Sequence, residues 1–584
     1  MSDRVGRSFV ATLLIAFAAA AALRCAWLTA DPPAHPAVGI MWHDEGAWVH
    51  NARNRVLWGA WRADEWNPVF VAPAFTALEY AAFRTFGIGT WQARTVPVAS
   101  GLLAVALLAA GLAALGGRRA ALIGASLLAT NYVYVMWNRA ALMESTMTAF
   151  IVASWAAYAF AERRPALGLL AGTAVVFAWF TKASAAFFVA ALVLDAVATL
   201  VQSRWEWPRR VVGFAKPSRS AVRAARWTLT GVAATGAVIL VAFVLPYWSE
   251  YQFYNWQMSV TRKPSYTLRS LIDRASWLPI VHDYFTRMWL VTSVAALGLT
   301  TIVLTWRTAR PGERLLVLWV LLGLAELVVH DAGNERRYVM FIPALVALTA
   351  LVLGKTGPIG APTGDLGRFS RWIALPLVLL LAYLVAGSLV RLALLGEIGR
   401  GVRLSAAMAV IAGGLIFWRW RSVCEWLSRQ RITAGAAAAL TAIAIAGDLT
   451  QYWQWALGRT YENHQASIEL GRVLPPGTLV HGKLANGLSL ENRIRPIFVG
   501  RGFGNYDDRT TRDDVRYILT YIAPRVGYEG SVIRDVLDAY PNRTIIMTFD
   551  VAETATGRDR AALIDKFGGA GPGTNRQATG RADH

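Results

Sequence analysis

Long apolar runs broken by short basic loops set the pattern of this chain. Ser8 to Leu28, Ala121 to Met136, Leu229 to Val244, Leu315 to Val329 and Leu375 to Val390 are nearly free of charge. With their flanks they can cross about 30 Å of hydrocarbon as helices. A bilayer core accepts only helices or closed barrels, and runs of this length predict helices. The expected spans are 8–29, 91–115, 119–137, 145–161, 165–181, 183–201, 227–247, 288–306, 314–330, 338–354, 372–395, 402–418 and 432–452, about thirteen in all.

One segment decides the topology. Residues 67–87 are apolar but carry Glu79, Arg84, Pro68 and Pro73. Laid in the outer interface rather than across the membrane, they leave about twenty-one Lys and Arg in the inner loops against about eleven outside, and the opposite choice reverses the ratio. The N-terminus is therefore expected in the cytoplasm of a bacterial inner membrane. Residues 30–90, the loop 248–287 and everything after Gln454 are expected on the periplasmic side. The opening Arg4, Arg7 and Ala/Leu run also fits a signal peptide, but Arg24 and Trp27 spoil a small-residue cleavage site, so it reads as a retained first helix.

After residue 454 the pattern becomes that of a soluble unit. Leu474-Pro475-Pro476-Gly477 opens a series of short strands, Thr478 to His481, Pro496 to Val499, Arg516 to Tyr521 and Thr544 to Phe549, between polar helices. The expected architecture is mostly α, with a polytopic helical bundle over 1–454 and a small extracytoplasmic α/β domain over 455–566. A Gly/Ala-rich disordered tail is expected over 567–584. No internal repeat is evident.

Composition agrees with lipid as the main solvent, since only 16% of residues are charged and 55% are hydrophobic. The formal net charge of +21 raises nucleic acid as a partner. The positive residues instead punctuate helices, as at Arg118-Arg119, Arg163-Arg164, Arg204 to Arg226, and Arg307, Arg310 and Arg314. The positive-inside rule accounts for them without nucleic acid. Cys25 and Cys424 fall on opposite sides of the membrane, which excludes a disulfide and a cysteine metal site.

Five polar clusters carry the candidate chemistry: His43-Asp44-Glu45, Arg94, Asn138-Arg139 through Glu144, Thr181-Lys182, and His330-Asp331 through Glu335-Arg336-Arg337-Tyr338. Each alone has an ordinary reading as a solvated loop, a snorkelling cation or an interfacial lysine. The topology puts all five on one face, so a single site is the economical reading. Carboxylates (Asp44, Glu45, Glu144) beside fixed cations (Arg94, Arg139, Lys182, Arg336, Arg337) suit the phosphate of a lipid. With a sugar on that phosphate the leaving group is already a stable anion. The remaining task is to take a proton from an acceptor hydroxyl, which an ionised Asp can do, and direct displacement inverts the anomeric centre.

An Asp-Glu pair in the first outer loop, an Arg five residues before an acidic residue in the second, a Lys after the fifth helix, and Arg-Tyr before a Pro-bearing helix resemble the GT-C superclass of membrane glycosyltransferases. The likeness, over about residues 8–355, is to its protein O-mannosyltransferase and lipid A aminoarabinose transferase group. It implies a polyprenyl-phosphate-sugar donor, periplasmic transfer to a glycan, lipid or protein acceptor, and Asp44 as the catalytic carboxylate supported by Glu45 and Glu144. Arg94, Arg139, Lys182, Arg336, Arg337 and Tyr338 would then lie near the donor phosphate or brace the carboxylates. Two positions depart from the pattern: Ala72 precedes Pro73 where the aminoarabinose transferases have a lysine, and Glu144 replaces the usual Asp. The sugar is therefore left open.

No cofactor is expected. A divalent metal held by His43 and His50, seven residues apart, with Asp44 and Glu45 is the minor alternative. The aromatic loop 248–287 reads as an interfacial belt or as a lid. A transporter or flippase of a lipid-linked sugar is the competing function, and it requires polar residues through the midplane rather than at one face. A non-catalytic scaffold is a third reading, in which Asp44 is dispensable.

Overall fold

The computed structural model describes residues 2–33, 40, 42–62, 64–205, 216–260, 268–273, 276, 285–330, 335–355, 357, 398–500, 505–522, 533–554 and 557–568, with isolated positions between 375 and 386. Helices dominate. The bundle comprises α1 (Ser2–Cys25), α2 (His43–Trp58), α3 (Pro73–Phe86), α4 (Thr90–Thr130), α5 (Tyr132–Asn138), α6 (Met143–Ala161), α7 (Leu167–Thr181) and α8 (Ala186–Arg204). It continues through α9 (Arg219–Ile239), α10 (Trp248–Val260), α11 (Trp289–Leu304), α12 (Pro311–His330), α13 (Ile342–Gly354), α14 (Ile398–Trp418), α15 (Trp420–Arg429) and α16 (Ala434–Leu457). Helix is found within each expected span except 372–395, which falls largely outside the described residues, with 91–115 and most of 119–137 both in α4.

Among the described residues, five helical segments are long and apolar enough to cross a membrane, six if the bent pair α5 and α6 is one span. The long α4 is really two arms. Gly117 takes φ +76°, and a side chain on Gly124 would strike Leu112, so the chain doubles back at the glycine. That reversal matches the expected turn between 115 and 119. Only a residue without Cβ takes such a φ cheaply.

The ambiguous segment 67–87 forms a 3-10 turn at Pro68–Phe70 and then the 14-residue α3. At 1.5 Å per residue α3 rises about 21 Å, short of the hydrocarbon thickness. The contacts are more telling than the length. Arg94, in the first turns of α4, bonds Glu45 of α2, so the chain enters and leaves α3 at the same end of the bundle.

The C-terminal unit contains α17 (Glu462–Val473), β1 (Leu479–His481), α18 (Lys483–Gly487), β2 (Arg495–Ile497), α19 (Asp508–Thr511), β3 (Tyr517–Tyr521), α20 (Ile533–Ala539), β4 (Thr544–Thr554) and β5 (Gly557–Asp565). They form one five-stranded sheet of order β2-β1-β3-β5-β4. Parallel pairing joins β2, β1 and β3, and antiparallel pairing joins β3, β5 and β4. Four strands were expected. The fifth, β5, opens with Gly-Arg-Asp-Arg, a charged start that hides the buried Ala561, Ala562, Leu563 and Ile564 behind it. The tail from residue 569 lies outside the described residues.

This unit is fused to the bundle through α2. Trp42, next to α2, belongs to the same apolar core as Leu470, Leu484, Leu488 and Ile494. Arg53, fully buried, donates to the carbonyls of Ser489, Asn492 and Ile494. Asp64 accepts the backbone N–H of Phe498, and Asn486 bonds His50. The backbones nearly touch as well, since a Cβ on Gly46 would lie 1.8 Å from the Asn486 carbonyl oxygen.

Candidate active site

Residues 43–54 of α2 are buried on every side, which follows from its place between the bundle and the C-terminal sheet. Asp44 and Glu45 stand in its first turn, where the helix dipole favours negative charge. Their neighbours divide them into two roles.

Glu45 is a brace. Arg94 grips it bidentately at 2.8 and 2.6 Å, and its Oε1 also accepts the Ala141 N–H at 2.7 Å. The same guanidinium donates to the carbonyls of Leu28 and Ala30. One buried pair therefore ties the end of α1, α2, α4 and the α5–α6 turn together. Breaking such a pair by removing one partner costs about 3–5 kcal/mol, because it strands a buried charge.

Asp44 is set among cations instead. Arg336 donates to its Oδ2, Lys483 reaches Oδ1 at 2.7 Å, and His43 Nε2 lies 3.6 Å from Oδ1. Burial alone would raise this carboxyl, but Arg336, Lys483 and His43 outweigh it and hold Asp44 well below the usual carboxylate range. Lys182, which caps α7, donates to Glu144 Oε1, while Oε2 of this fully buried carboxylate has no hydrogen-bond partner among the described residues. Arg336 acts electrostatically on Glu144, and Arg337 and Arg336 both act on Lys182, so Asp44, Arg336, Arg337, Glu144 and Lys182 form one ionic cluster.

Of the other expected residues, Arg139, Tyr338 and His50 lie to the side of this cluster, and Arg337 reaches it while holding a carboxylate of its own. Arg139 donates to the carbonyls of Leu23, Arg24 and Trp27 and stacks over Trp455 at 4.7 Å, closing the C-terminal end of α1. Arg337 pairs with Glu326 at 2.9 Å. Tyr338 is buried against Phe341. Both ring nitrogens of His50 are engaged, Nε2 by Asp64 and Asn54 and Nδ1 by Asn486. No group of three His, Cys, Asp or Glu suited to a metal ion occurs among the described residues. Within the loop 248–287, α10 packs on the 68–70 turn, where Asn255 donates to the Phe70 carbonyl and Tyr254 stacks on Phe70. Asp331 lies outside the described residues.

Sequence reasoning missed Lys483. It sits in a polar domain far along the chain, and no spacing connects it to α2; the flanking glycines, Gly482 and Gly487, are the one local sign of a tight approach. Glu79 was noted only as a charge within an apolar segment. It is fully buried on α3, neither carboxylate oxygen has a hydrogen-bond partner among the described residues, and burial together with the Glu45 charge pushes it well above its ordinary value.

A helical membrane bundle with an ionic site at the helix ends, closed over by a fused soluble domain, is the class that fold and site define. Residues 70–258 match the family model described as dolichyl-phosphate-mannose-protein mannosyltransferase. The matched segment holds Arg94, Arg139, Glu144 and Lys182 but not Asp44 or Arg336. The resemblance read from the sequence is thus found, over that segment, in the same group of membrane glycosyltransferases.

Among solved structures, ArnT from Cupriavidus metallidurans bound to undecaprenyl phosphate is 16% identical, over 96% of this chain and 98% of its own, with a TM-score of 0.48. The Archaeoglobus fulgidus oligosaccharyltransferase in complex with Zn and sulfate is 12% identical, over 88% and 68%, with a TM-score of 0.40. Archaeal AglB from the same organism, with an inhibitory peptide and a dolichol-phosphate, is 12% identical over 88% and 69%, at 0.41. No curated protein matches the chain by sequence.

Proposed function

We propose that this protein is an inverting glycosyltransferase, moving a sugar from a polyprenyl-phosphate donor to a glycan, lipid or protein acceptor on the periplasmic side of a bacterial inner membrane. The observation that carries the reading is Asp44, a carboxylate kept ionised by Arg336 and Lys483 and joined through Arg336 to the Glu144–Lys182 pair. The family match over residues 70–258 supports the donor class.

In the reaction the acceptor oxygen attacks the anomeric carbon as its proton passes to Asp44. The bond from that carbon to the phosphate oxygen breaks, and the electron pair leaves on the phosphate. Arg336 and Lys182 would supply positive charge to that anion, in a site poor in water. Glu45 and Arg94 hold α2 in place, and Arg139 fixes the end of α1. The proposed chemistry needs no metal, because the leaving group departs as an anion and the base is already ionised.

Purified Asp44→Asn is compared with the parent for release of polyprenyl phosphate from a panel of polyprenyl-phosphate sugars. Release by the parent that falls at least a hundredfold in the variant, with donor still bound, is the expected outcome. Equal release would remove Asp44 from the chemical step. No release by the parent from any donor would reject the transferase itself.

A further inference from the structure

Away from the ionic site, the bundle leaves a groove of about 780 Å³ between α1, the second arm of α4, and α16. Its volume falls in the roughly 300–1,000 Å³ range of ligand sites. Phe9 and Thr12 of α1 line it on one side, and Ala434, Ala438 and Ala442 of α16 on the other. Alanines four residues apart share one face of a helix, and their single methyl groups leave the space beside α1 unfilled.

Its place and length are set by the helices. The 23 residues from Arg94 to Gly117 in the first arm of α4 rise about 35 Å, a length that would carry the groove to the opposite side of a bilayer that this arm crosses. Along α16 the groove runs from Ala434 to Ile445, a rise of about 16 Å. That is close to half of a hydrocarbon core of about 30 Å, so the groove is one leaflet deep.

The mouth is basic. Arg118 lies over the Phe9 ring at 5.7 Å, and Arg119 donates at 3.4 Å to the carbonyl of Thr433, which caps the start of α16. One guanidinium thus leans toward α1 and the other toward α16. Neither pairs with a carboxylate among the described residues, and a guanidinium has five donors to offer. The positive end of the α16 dipole adds to their charge.

A phosphate suits two such forks. A zwitterionic headgroup would bring its own ammonium up to the two arginines, whereas an anionic one adds no cation. An apolar helix from another chain would fill the groove and leave both arginines without a counter-charge.

We infer that the groove is a binding site for an anionic phospholipid of the leaflet opposite the active site, with its phosphate between Arg118 and Arg119 and one acyl chain along α16. The lipid then joins α1 to α16 at one end of the bundle. Tyr452 of α16 does so toward the other end, by donating to the Leu23 carbonyl of α1. The site does not depend on the transferase reading.

Native mass spectrometry of the full-length protein, stripped of lipid in detergent and titrated with phosphatidylglycerol or phosphatidylcholine, tests the assignment. Phosphatidylglycerol is expected to bind about tenfold more tightly, the scale of the charge that two arginines offer an anionic lipid. Arg118→Gln combined with Arg119→Gln should bring the two lipids to parity. Ala438→Leu keeps both arginines but narrows the groove, and should weaken phosphatidylglycerol binding by a similar factor. Arg223→Gln combined with Arg226→Gln removes two exposed arginines of α9 and should leave the preference unchanged.

Equal binding of the two lipids by the parent would overturn the assignment, as would a preference that outlasts both groove variants. Loss of the preference in the α9 variant would overturn it too, since net charge rather than the groove would then select the lipid. A lipid-free parent that is dimeric, with Ala438→Leu monomeric, would give the groove to a second copy of this chain instead.

Discussion

At the scale of single residues, burial and charge partners sort the acidic groups more sharply than their position in the chain. Asp44 and Glu79 are both buried and differ in company. Cations surround Asp44 and hold its carboxyl well below the usual range, whereas burial and the Glu45 charge push Glu79 well above its ordinary value. The sign of the consequence follows. Unfolded, Glu79 loses its proton near its ordinary value of 4.5; folded, it keeps it to a higher pH. Between those limits the folded state binds more protons, so stability falls as pH rises. Glu79→Gln mimics the protonated acid and removes that loss. Thermal unfolding at pH 5 and pH 8 should show the variant gaining on the parent at pH 8 and matching it more closely at pH 5. An equal difference at both values would mean that Glu79 is already ionised in the folded protein.

At the scale of elements, the join between α2 and α18 is made by missing side chains. Gly46 faces a backbone carbonyl, which cannot rotate away as a flexible side chain can. Gly46→Ala should therefore separate α2 from α18, pull Lys483 from Asp44 and speed hydrogen exchange through 483–494, with transfer falling at least tenfold. Gly59→Ala is the control. Gly59 ends α2 at φ +73° with nothing within 4 Å, so its cost is confined to backbone strain of about 1 kcal/mol, and transfer should persist. Comparable losses in both would mean that α2 itself, not its contact with α18, is the sensitive element.

The same join marks the limit of what the chain discloses as text. Apolar runs and basic loops made the helices legible, because lipid imposes a period and a length. His43-Asp44-Glu45 and the Glu144 and Lys182 turns were legible as charges placed where charge is expensive. The division of labour among them was not. Arg139 and Arg94 look alike in sequence, yet Arg139 donates to carbonyls at the end of α1 while Arg94 also grips a carboxylate with both faces of its fork, a difference made by tertiary packing. Lys483 was hidden for the same reason, since its partner lies in another domain.

At the scale of the whole molecule, the site and the C-terminal domain must share one side of the membrane, because Lys483 and Asp44 touch. Arg94 and Glu45 extend this to the start of α4, and Lys182 and Glu144 to the ends of α6 and α7. The turn after α6, at Arg163-Arg164, lies 19 helical residues from that end, about 28 Å away, a length that would carry it to the opposite side of a bilayer that α6 crosses. In a background with Cys25 and Cys424 replaced by Ala, a membrane-impermeant maleimide applied to intact spheroplasts should label Asp507→Cys. It should reach Arg164→Cys only after permeabilisation. The reverse pattern would turn the protein over and place the site on the cytoplasmic face, where its sugar donor would have to be sought. Labelling of both from outside would mean that α6 does not cross, and the doubling back of the chain at Gly117 would then need another explanation than the membrane.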